Sequence, residues 1–307
     1  MRIIFCIGLI LLLKACIPPE VSRLKPLIVC STSIIADGIQ QVFGDQVDVY
    51  ALMGPGVDPH TYNPRPSDIH WLNEASVIVC NGFHLEGKMV SLFEGLKQRK
   101  PVYFLADHVP QESRILLDKV IVDPHFWFDT ELWVKANKGV VQEIVGELEL
   151  EQLRIKERID LWERSIHQID QHYGKLIATI PEEQRVLITS HDAFHYFGRK
   201  YQVSVKAIQG ISTAQEPSVR SMLDLTSFIV DRKIPAIFVE NSVNPKTIQT
   251  LTKSCARKGL HVRIGGTLYS DALGTKSSGA HTYTGMIEHN LKTIFNALHG
   301  KNKEYSH

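Results

Sequence analysis

Residues 153–180 are LRIKERIDLWERSIHQIDQHYGKLIATI, and this stretch decides how the chain is organised. Its large apolar side chains recur at alternating steps of four and three residues, which places them on one face of an α-helix. The sequence therefore predicts one long amphipathic helix over 153–180, which ends before Pro181 because proline cannot continue a helix. The side chains of this face are Ile155, Ile159, Trp162, Ile166, Ile169, Tyr173 and Leu176.

On both sides of this helix, short runs rich in β-branched residues alternate with longer amphipathic segments. Most of the short runs are apolar on both faces, which is typical of strands in parallel sheets that helices cover on both sides. They fall into two groups, at 27–31, 47–53, 77–81 and 102–105 before the helix and at 186–190, 204–208, 236–240 and 261–264 after it. The clearest helical segments are 34–43, 67–74, 130–148, 218–231 and 245–258.

These patterns predict an α/β fold with two lobes, each a parallel four-stranded sheet with helices on both faces, joined by one long helix. The predicted boundaries are 26–152 for the N-terminal lobe, 153–180 for the linking helix and 181–307 for the C-terminal lobe. A continuous helix is stiffer than a loop hinge, so we expect it to restrict how far the lobes move.

The first residues of the chain differ from the rest. A short basic head precedes an apolar run at 3–13, which is typical of a signal peptide and too short to cross a bilayer core of roughly 30 Å as a helix. We therefore predict a signal peptide over 1–15 and export of the remainder.

The apolar run ends in Leu13-Lys14-Ala15-Cys16, which resembles a bacterial lipobox. Lys14 departs from that pattern, since most lipoboxes carry a small or apolar residue there. We predict lipidation of Cys16 and a lipidated tether over 16–25 that anchors the protein to the membrane. An ordinary secretory signal with an incidental cysteine is the alternative, and it would also export the chain.

The bulk composition narrows the possible functions. A net charge of +1, from 34 basic and 33 acidic residues, gives no reason to expect a polyanionic partner, so nucleic acid is excluded as a partner. Beyond the first 16 residues the cysteines are Cys30, Cys80 and Cys255, an odd number without CxxC spacing. A disulfide framework is therefore not indicated, and buried free thiols are expected.

Three of the 14 histidines stand out by their context. His191 directly follows a predicted strand, and His60 lies in the glycine- and proline-rich turn after another. The tripeptide Asp-Pro-His occurs twice, at His60 and at His125. Ligands of parallel α/β proteins gather beyond the carboxyl ends of strands, so these three side chains could converge from two lobes. Neutral imidazole is a good ligand for zinc, iron, copper and nickel, and manganese accepts a mixed set with carboxylate.

A buried dication also requires an anionic ligand to reduce its charge. Asp271 lies in the glycine-rich stretch after the last predicted strand and supplies that carboxylate. His195, one helical turn after His191, is a weaker candidate, because the helix that follows would more often bury it. The remaining histidines lie in helical or surface segments, where a solvated imidazole is expected.

Five stretches together resemble the signature segments of the zinc/manganese/iron solute-binding lipoproteins of ABC importers. They occur in the family's order and spacing, at 52–66, at Asp123-Pro124-His125-Phe126-Trp127, and at 189–197, 237–240 and 268–274. The resemblance covers about residues 25 to 298. It implies two α/β lobes joined by one long helix, with the metal in the cleft between them.

The resemblance also implies a site, a cargo and partners. The metal ligands fall on His60, His125, His191 and Asp271, and the cargo is one divalent transition-metal ion: zinc, manganese or iron. Members with a glutamate at the third position resemble manganese carriers, and dedicated zinc carriers often have a long histidine-rich loop that this chain lacks. The expected partners are an ABC permease with its cytoplasmic ATPase, and the expected state is a monomer on the periplasmic or extracytoplasmic face of the membrane.

Two other functions compete with metal transport. A zinc enzyme keeps an open coordination position and a nearby general base, but the sequence has no HExxH or comparable motif. An exported adhesin or surface interaction lipoprotein is the second alternative. The conspicuous residues point to an inner cleft and not to one exposed apolar patch, which disfavours it.

Overall fold

The computed structural model describes residues 25–117, 120–148 and 150–299. The predicted signal peptide and the predicted lipidation site, Cys16, lie outside these residues. Among the helices that are described, none combines the length and the apolar character needed to cross a membrane.

Strands and helices alternate through both halves, as predicted. The first half comprises β1 (Leu27–Thr32), α1 (Ser33–Phe43), β2 (Asp48–Met53), α2 (Pro66–Glu74), β3 (Val77–Cys80), α3 (Val90–Leu96), β4 (Val102–Phe104), the short strands β5 (Leu116–Leu117) and β6 (Ile121–Val122), and α4 (Thr130–Leu148). The long helix α5 spans Gln152–Ala178. The second half comprises β7 (Val186–Thr189), α6 (His195–Tyr201), β8 (Ser204–Ala207), α7 (Val219–Asp231), β9 (Ala236–Glu240), α8 (Lys246–Arg257), β10 (Arg263–Leu268) and α9 (Tyr283–Leu298).

The first lobe contains a parallel four-stranded sheet in the order β2-β1-β3-β4. Alternate residues of its central strand face different cores. Ile28 and Cys30 pack into one apolar cluster, whereas Leu27 and Val29 pack into another. Helices therefore cover both faces of this sheet, which confirms the expectation drawn from strands that are apolar on both sides.

The second lobe contains the four predicted strands, but as two parallel pairs, β7-β8 and β9-β10. Strands β7 and β9 lie next to each other. Oε1 of Glu240, at the end of β9, accepts hydrogen bonds from the backbone N–H groups of Ser190 and His191, at 2.8 and 2.9 Å. A side chain, and not a backbone ladder, therefore links the two pairs at their carboxyl ends.

Helix α5 packs against α1 of the first lobe and α9 of the second. Ile155, Trp162 and Ile166 from its predicted apolar face are buried in an apolar cluster that also contains residues of both lobes. On its polar side, Nε of Arg158 donates to the carbonyl oxygens at the end of α1. The helix is thus part of a core shared by the two lobes.

Strand β10 extends beyond its predicted end at residue 264 and includes Gly265 and Gly266. The sequence placed these glycines in the stretch after the strand, but they are part of the strand and are needed for packing. A Cβ on Gly265 would lie 2.7 Å from the ring of Phe238, and Gly266 has a φ of +145° at the point where the register shifts. The loop that carries Asp271 therefore begins only after Leu268.

The three described cysteines are free and buried, as expected. Cys30 lies within β1 and Cys80 ends the neighbouring strand β3, but they belong to the two clusters on opposite faces of the sheet. The sheet itself therefore separates the two thiols.

Candidate metal centre

The structure brings the four predicted ligands together. His60 lies in the loop after β2, His125 lies before α4, His191 follows β7, and Asp271 follows β10. One ligand atom from each lies within 4.8 Å of the others, and all four residues are buried. Within the described ranges, no other cluster of three or more histidine, cysteine or acidic side chains has this geometry.

The distances between the ligand atoms suit a four-coordinate ion. The Nε2 atoms of His60 and His125 are 3.3 Å apart, and those of His125 and His191 lie 3.5 and 3.2 Å from the two carboxylate oxygens of Asp271. Tetrahedral zinc with bonds of about 2.1 Å holds its ligand atoms roughly 3.4 Å apart. The 4.0 Å between His60 Nε2 and Asp271 Oδ2 is the widest of these measured separations.

Two ligand atoms lack the partners that buried polar groups require. His191 Nε2 and Asp271 Oδ1 are both buried without a hydrogen bond. An unsatisfied buried polar group typically destabilises a fold by about 1–3 kcal/mol, so such groups in a native structure need an explanation. Coordination of a cation would satisfy both atoms at once.

The repeated Asp-Pro-His tripeptide builds two different ligand loops. In each copy the aspartate accepts a hydrogen bond of 2.9 Å from the backbone N–H of its histidine, which fixes the local turn. Asp123 also accepts from Nδ1 of the His125 ring at 2.8 Å, whereas Asp58 accepts from Thr213 of the second lobe at 2.5 Å. Because Asp123 holds the proton on Nδ1, the Nε2 lone pair of His125 is free to face the centre.

Glu240 contacts the ring of His191 at Nδ1, as Asp123 contacts the ring of His125. Its Oε2 lies 2.5 Å from the Nδ1 atom of His191, and both side chains are fully buried. The two atoms are as close as those of an ion pair, although the angles at this contact do not fit a hydrogen bond. As with Asp123, the carboxylate leaves Nε2 directed at the centre.

Two of the three histidines have pKa shifts in opposite directions. Burial lowers the pKa of His60 to about 3, although the Asp271 carboxylate opposes this shift. For His191, burial alone would lower the pKa, but Asp271 and Glu240 outweigh it and raise the pKa well above its usual range. Burial would likewise raise the pKa of Asp271, but the imidazoles, with His191 first, hold it below its usual range. The centre therefore contains an ionised carboxylate, the anionic ligand that a buried dication requires.

Neither Asp123 nor Glu240 is predicted as a functional residue from the sequence alone. The signal for Asp123 was present, since an aspartate two residues before a candidate histidine occurs in both copies of the repeat. Glu240 ends an apolar strand, and its role becomes visible only when β9 lies beside β7. His195 is not among the clustered ligands, and its ring instead contacts Asp123 and Asp192.

Comparison with known proteins places this architecture in a family. The family model described as "ZnuA: Zinc-uptake complex component A periplasmic" matches residues 28–297. The zinc-binding protein TroA of Treponema pallidum is 39% identical over 274 residues, which cover 89% of each chain. The manganese-binding lipoprotein MntA of Bacillus subtilis is 37% identical over 272 residues, covering 88% of this chain and 89% of that protein.

Solved structures agree with the sequence matches. The structure of the periplasmic zinc-binding protein TroA from Treponema pallidum superposes with a TM-score of 0.87 and covers 89% of this chain and 99% of that one. A periplasmic metal-binding protein from Candidatus Liberibacter asiaticus, at 21% identity and a TM-score of 0.77, shares the fold. The chain therefore belongs to the ZnuA family of periplasmic metal-binding proteins, a family of transport solute-binding proteins and not of enzymes.

Proposed function

We propose that the protein captures one divalent transition-metal ion between its lobes and delivers it to an ABC permease powered by a cytoplasmic ATPase. The observation that carries this proposal is the buried cluster of His60, His125, His191 and Asp271, in which two ligand atoms make no hydrogen bond. Relatives named as metal ABC transporter substrate-binding lipoproteins support the delivery step. The alternative of an adhesin is not favoured.

The proposed cargo is zinc, manganese or iron. Three imidazoles and one carboxylate form a donor set that all three ions accept, and by the Irving–Williams order zinc should bind more tightly than manganese at equilibrium. Similar proteins are named for different ions, zinc in Treponema pallidum and manganese in Bacillus subtilis. The physiological cargo is then decided by which ion is available outside the cell, and not by affinity alone.

The proposed location is the extracytoplasmic face of the membrane, with the protein acting as a monomer held by a lipid on Cys16. The lipobox-like sequence before Cys16 and the lipoprotein names of several relatives support this anchor. Replacing Cys16 by serine should release the mature protein from the membrane in soluble form. Membrane retention of Cys16→Ser equal to that of the unmodified chain would argue against the anchor.

Zinc titration of single alanine variants tests the proposed ligands. Structural zinc sites have binding free energies of about 10–16 kcal/mol, shared here among four ligands. Removing one ligand should therefore weaken zinc binding roughly 100-fold. We expect this for His60→Ala, His125→Ala, His191→Ala and Asp271→Ala. The matched control is His167→Ala on the exposed side of α5, which should bind like the unmodified protein. Unchanged zinc affinity in any of the four variants would remove that residue from the site.

A further inference from the structure

The imidazole of His195 lies between the two lobes beside the proposed metal centre. His195 is the first residue of α6 in the second lobe. Its Nδ1 is 3.0 Å from Oδ2 of Asp123 in the first lobe, and its Nε2 is 3.2 Å from Oδ2 of Asp192 in its own lobe. Both ring nitrogens therefore face carboxylate oxygens.

Asp123 is the residue through which His195 reaches the centre. One oxygen of this fully buried carboxylate accepts from the backbone and the ring of His125, and the other faces His195. Asp192 directly follows the ligand His191 in sequence. A continuous chain of contacts, His125–Asp123–His195–Asp192, thus crosses the cleft without passing through the metal position.

The contacts also fix the charge of His195. A neutral imidazole can donate from one ring nitrogen only. The lone pair on its other nitrogen would then point at a lone pair of a carboxylate oxygen, which is unfavourable. Burial would lower the pKa of His195, but the hydrogen bonds to Asp123 and Asp192 raise it to about 10. His195 is therefore a cation between two carboxylates, and it offsets the charge that Asp123 carries in a fully buried position.

We propose that His195 is a positioning residue for metal capture: it ties the carboxylate that orients His125 to the second lobe, so that ligands from both lobes are aligned before the ion arrives. This inference rests on the proposed function. Alignment in advance lowers the ordering that binding must supply, so the ion should be held longer. Partners of this kind, which orient a metal ligand without touching the metal, typically change affinity by about 10–100-fold.

A double-mutant cycle measured by zinc dissociation into a chelator tests the proposal. We expect His195→Ala to release zinc about 10-fold faster than the unmodified protein. In an Asp123→Asn background the same substitution should have little further effect, because His195 acts through Asp123. If His195 had only a structural role, His195→Ala would increase the zinc dissociation rate by the same factor with and without Asp123→Asn. About a quarter of the His195 side chain is exposed, so its removal leaves no closed cavity. His167→Ala is the control on an exposed histidine.

A second measurement uses the unmodified protein, so its outcome does not depend on whether a variant folds. Nitrogen-15 spectra of the histidine rings near neutral pH should show both nitrogens of His195 protonated, with or without zinc. A neutral His195 ring, or a zinc dissociation rate unchanged by His195→Ala, would overturn the positioning role while zinc binding itself remained. Failure of the unmodified protein to bind zinc would instead overturn the proposed function.

Discussion

At the scale of single residues, the candidate ligands His60 and His191 differ in whether they carry a proton before the metal binds. His60, with a pKa of about 3, is neutral at physiological pH. His191, with its pKa raised by Asp271 and Glu240, is protonated. Only the neutral imidazole coordinates, so the metal must displace a proton at His191 but not at His60.

We predict that zinc binding near neutral pH releases about one proton from His191 per ion. Because the raised pKa leaves His191 protonated, zinc must compete with one proton. Below the pKa of His191 in the metal-free protein, zinc affinity should rise about tenfold per pH unit, and above that pKa it should no longer depend on pH through His191. Calorimetry in buffers of different ionisation enthalpy measures the proton directly. Glu240→Gln removes one of the carboxylates that raise the pKa of His191 and should reduce the release. Zinc binding without proton release would show that His191 is neutral beforehand.

The sequence marks the candidate ligands more clearly than the residues that contact their rings. His60, His125 and His191 are marked by short local patterns, a proline-flanked turn or the end of a buried strand. The contact between Glu240 and His191 joins residues 49 positions apart, and it depends on strands that pair with other partners. No local pattern could reveal it, and the same is true of the contact between His195 and Asp123.

At the scale of elements, an asparagine after the third strand of each lobe holds the loop that carries a proposed ligand. Asn81, after β3, donates to the carbonyl oxygen of Pro124 at 3.0 Å, next to His125. Asn241, after β9, accepts from the backbone N–H of Ser270 at 3.2 Å and donates to the carbonyl oxygen of Ala272 at 3.0 Å. The two hydrogen bonds of Asn241 bracket Asp271 and fix its loop against β9.

Asn241→Ala should loosen the Asp271 loop without unfolding the lobe. We expect faster amide hydrogen exchange at 270–273 and roughly 10-fold weaker zinc binding, because the loop would have to be ordered when the metal binds. Asn244→Ala is the matched control, since the Asn244 side chain binds the backbone N–H of Lys246 at the start of α8. Equal exchange at 270–273 in the Asn241 and Asn244 variants would exclude this role for Asn241.

The sequence predicted the bounds of helices best where one periodic apolar pattern runs through the whole segment. Helix α4 has the predicted bounds, and α5 begins one residue early and ends two residues before the prediction, because their periodic apolar faces extend through the whole segment. Strand β10 was predicted too short, since its glycines suggested a loop, although the ring of Phe238 leaves no room for a side chain on Gly265 and Gly266 has a positive φ. The division of the second sheet into two pairs depends on tertiary contacts that periodicity does not contain.

At the scale of the whole molecule, the lobes are joined by more than the proposed metal ion. Trp127 Nε1 donates to the Ser270 carbonyl oxygen at 3.0 Å, and the Tyr283 hydroxyl donates to the Trp127 carbonyl oxygen at 2.7 Å. The backbone N–H of Tyr283 also donates to Asp37 at 2.7 Å. These contacts and the shared core around α5 hold the lobes together independently of the four ligands.

We therefore predict that metal removal does not open the cleft widely. Bending α5 would break i to i−4 hydrogen bonds, each with a net value of about 1 kcal/mol, in addition to the contacts between the lobes. Small-angle scattering should give nearly equal radii of gyration for the metal-free and zinc-loaded protein. A clear increase in the metal-free form would show that α5 is not a stiff connector.

The proposed metal centre holds one ion between the lobes with three imidazoles and one carboxylate. X-ray absorption spectroscopy of the protein loaded with one equivalent of zinc tests it most directly, because it reports the type and number of ligand atoms. We predict nitrogen and oxygen ligands at about 2.0–2.1 Å, outer-shell scattering from three imidazoles, and no sulfur. A zinc–sulfur distance near 2.3 Å, or scattering from fewer than three imidazoles, would contradict the assignment of His60, His125, His191 and Asp271.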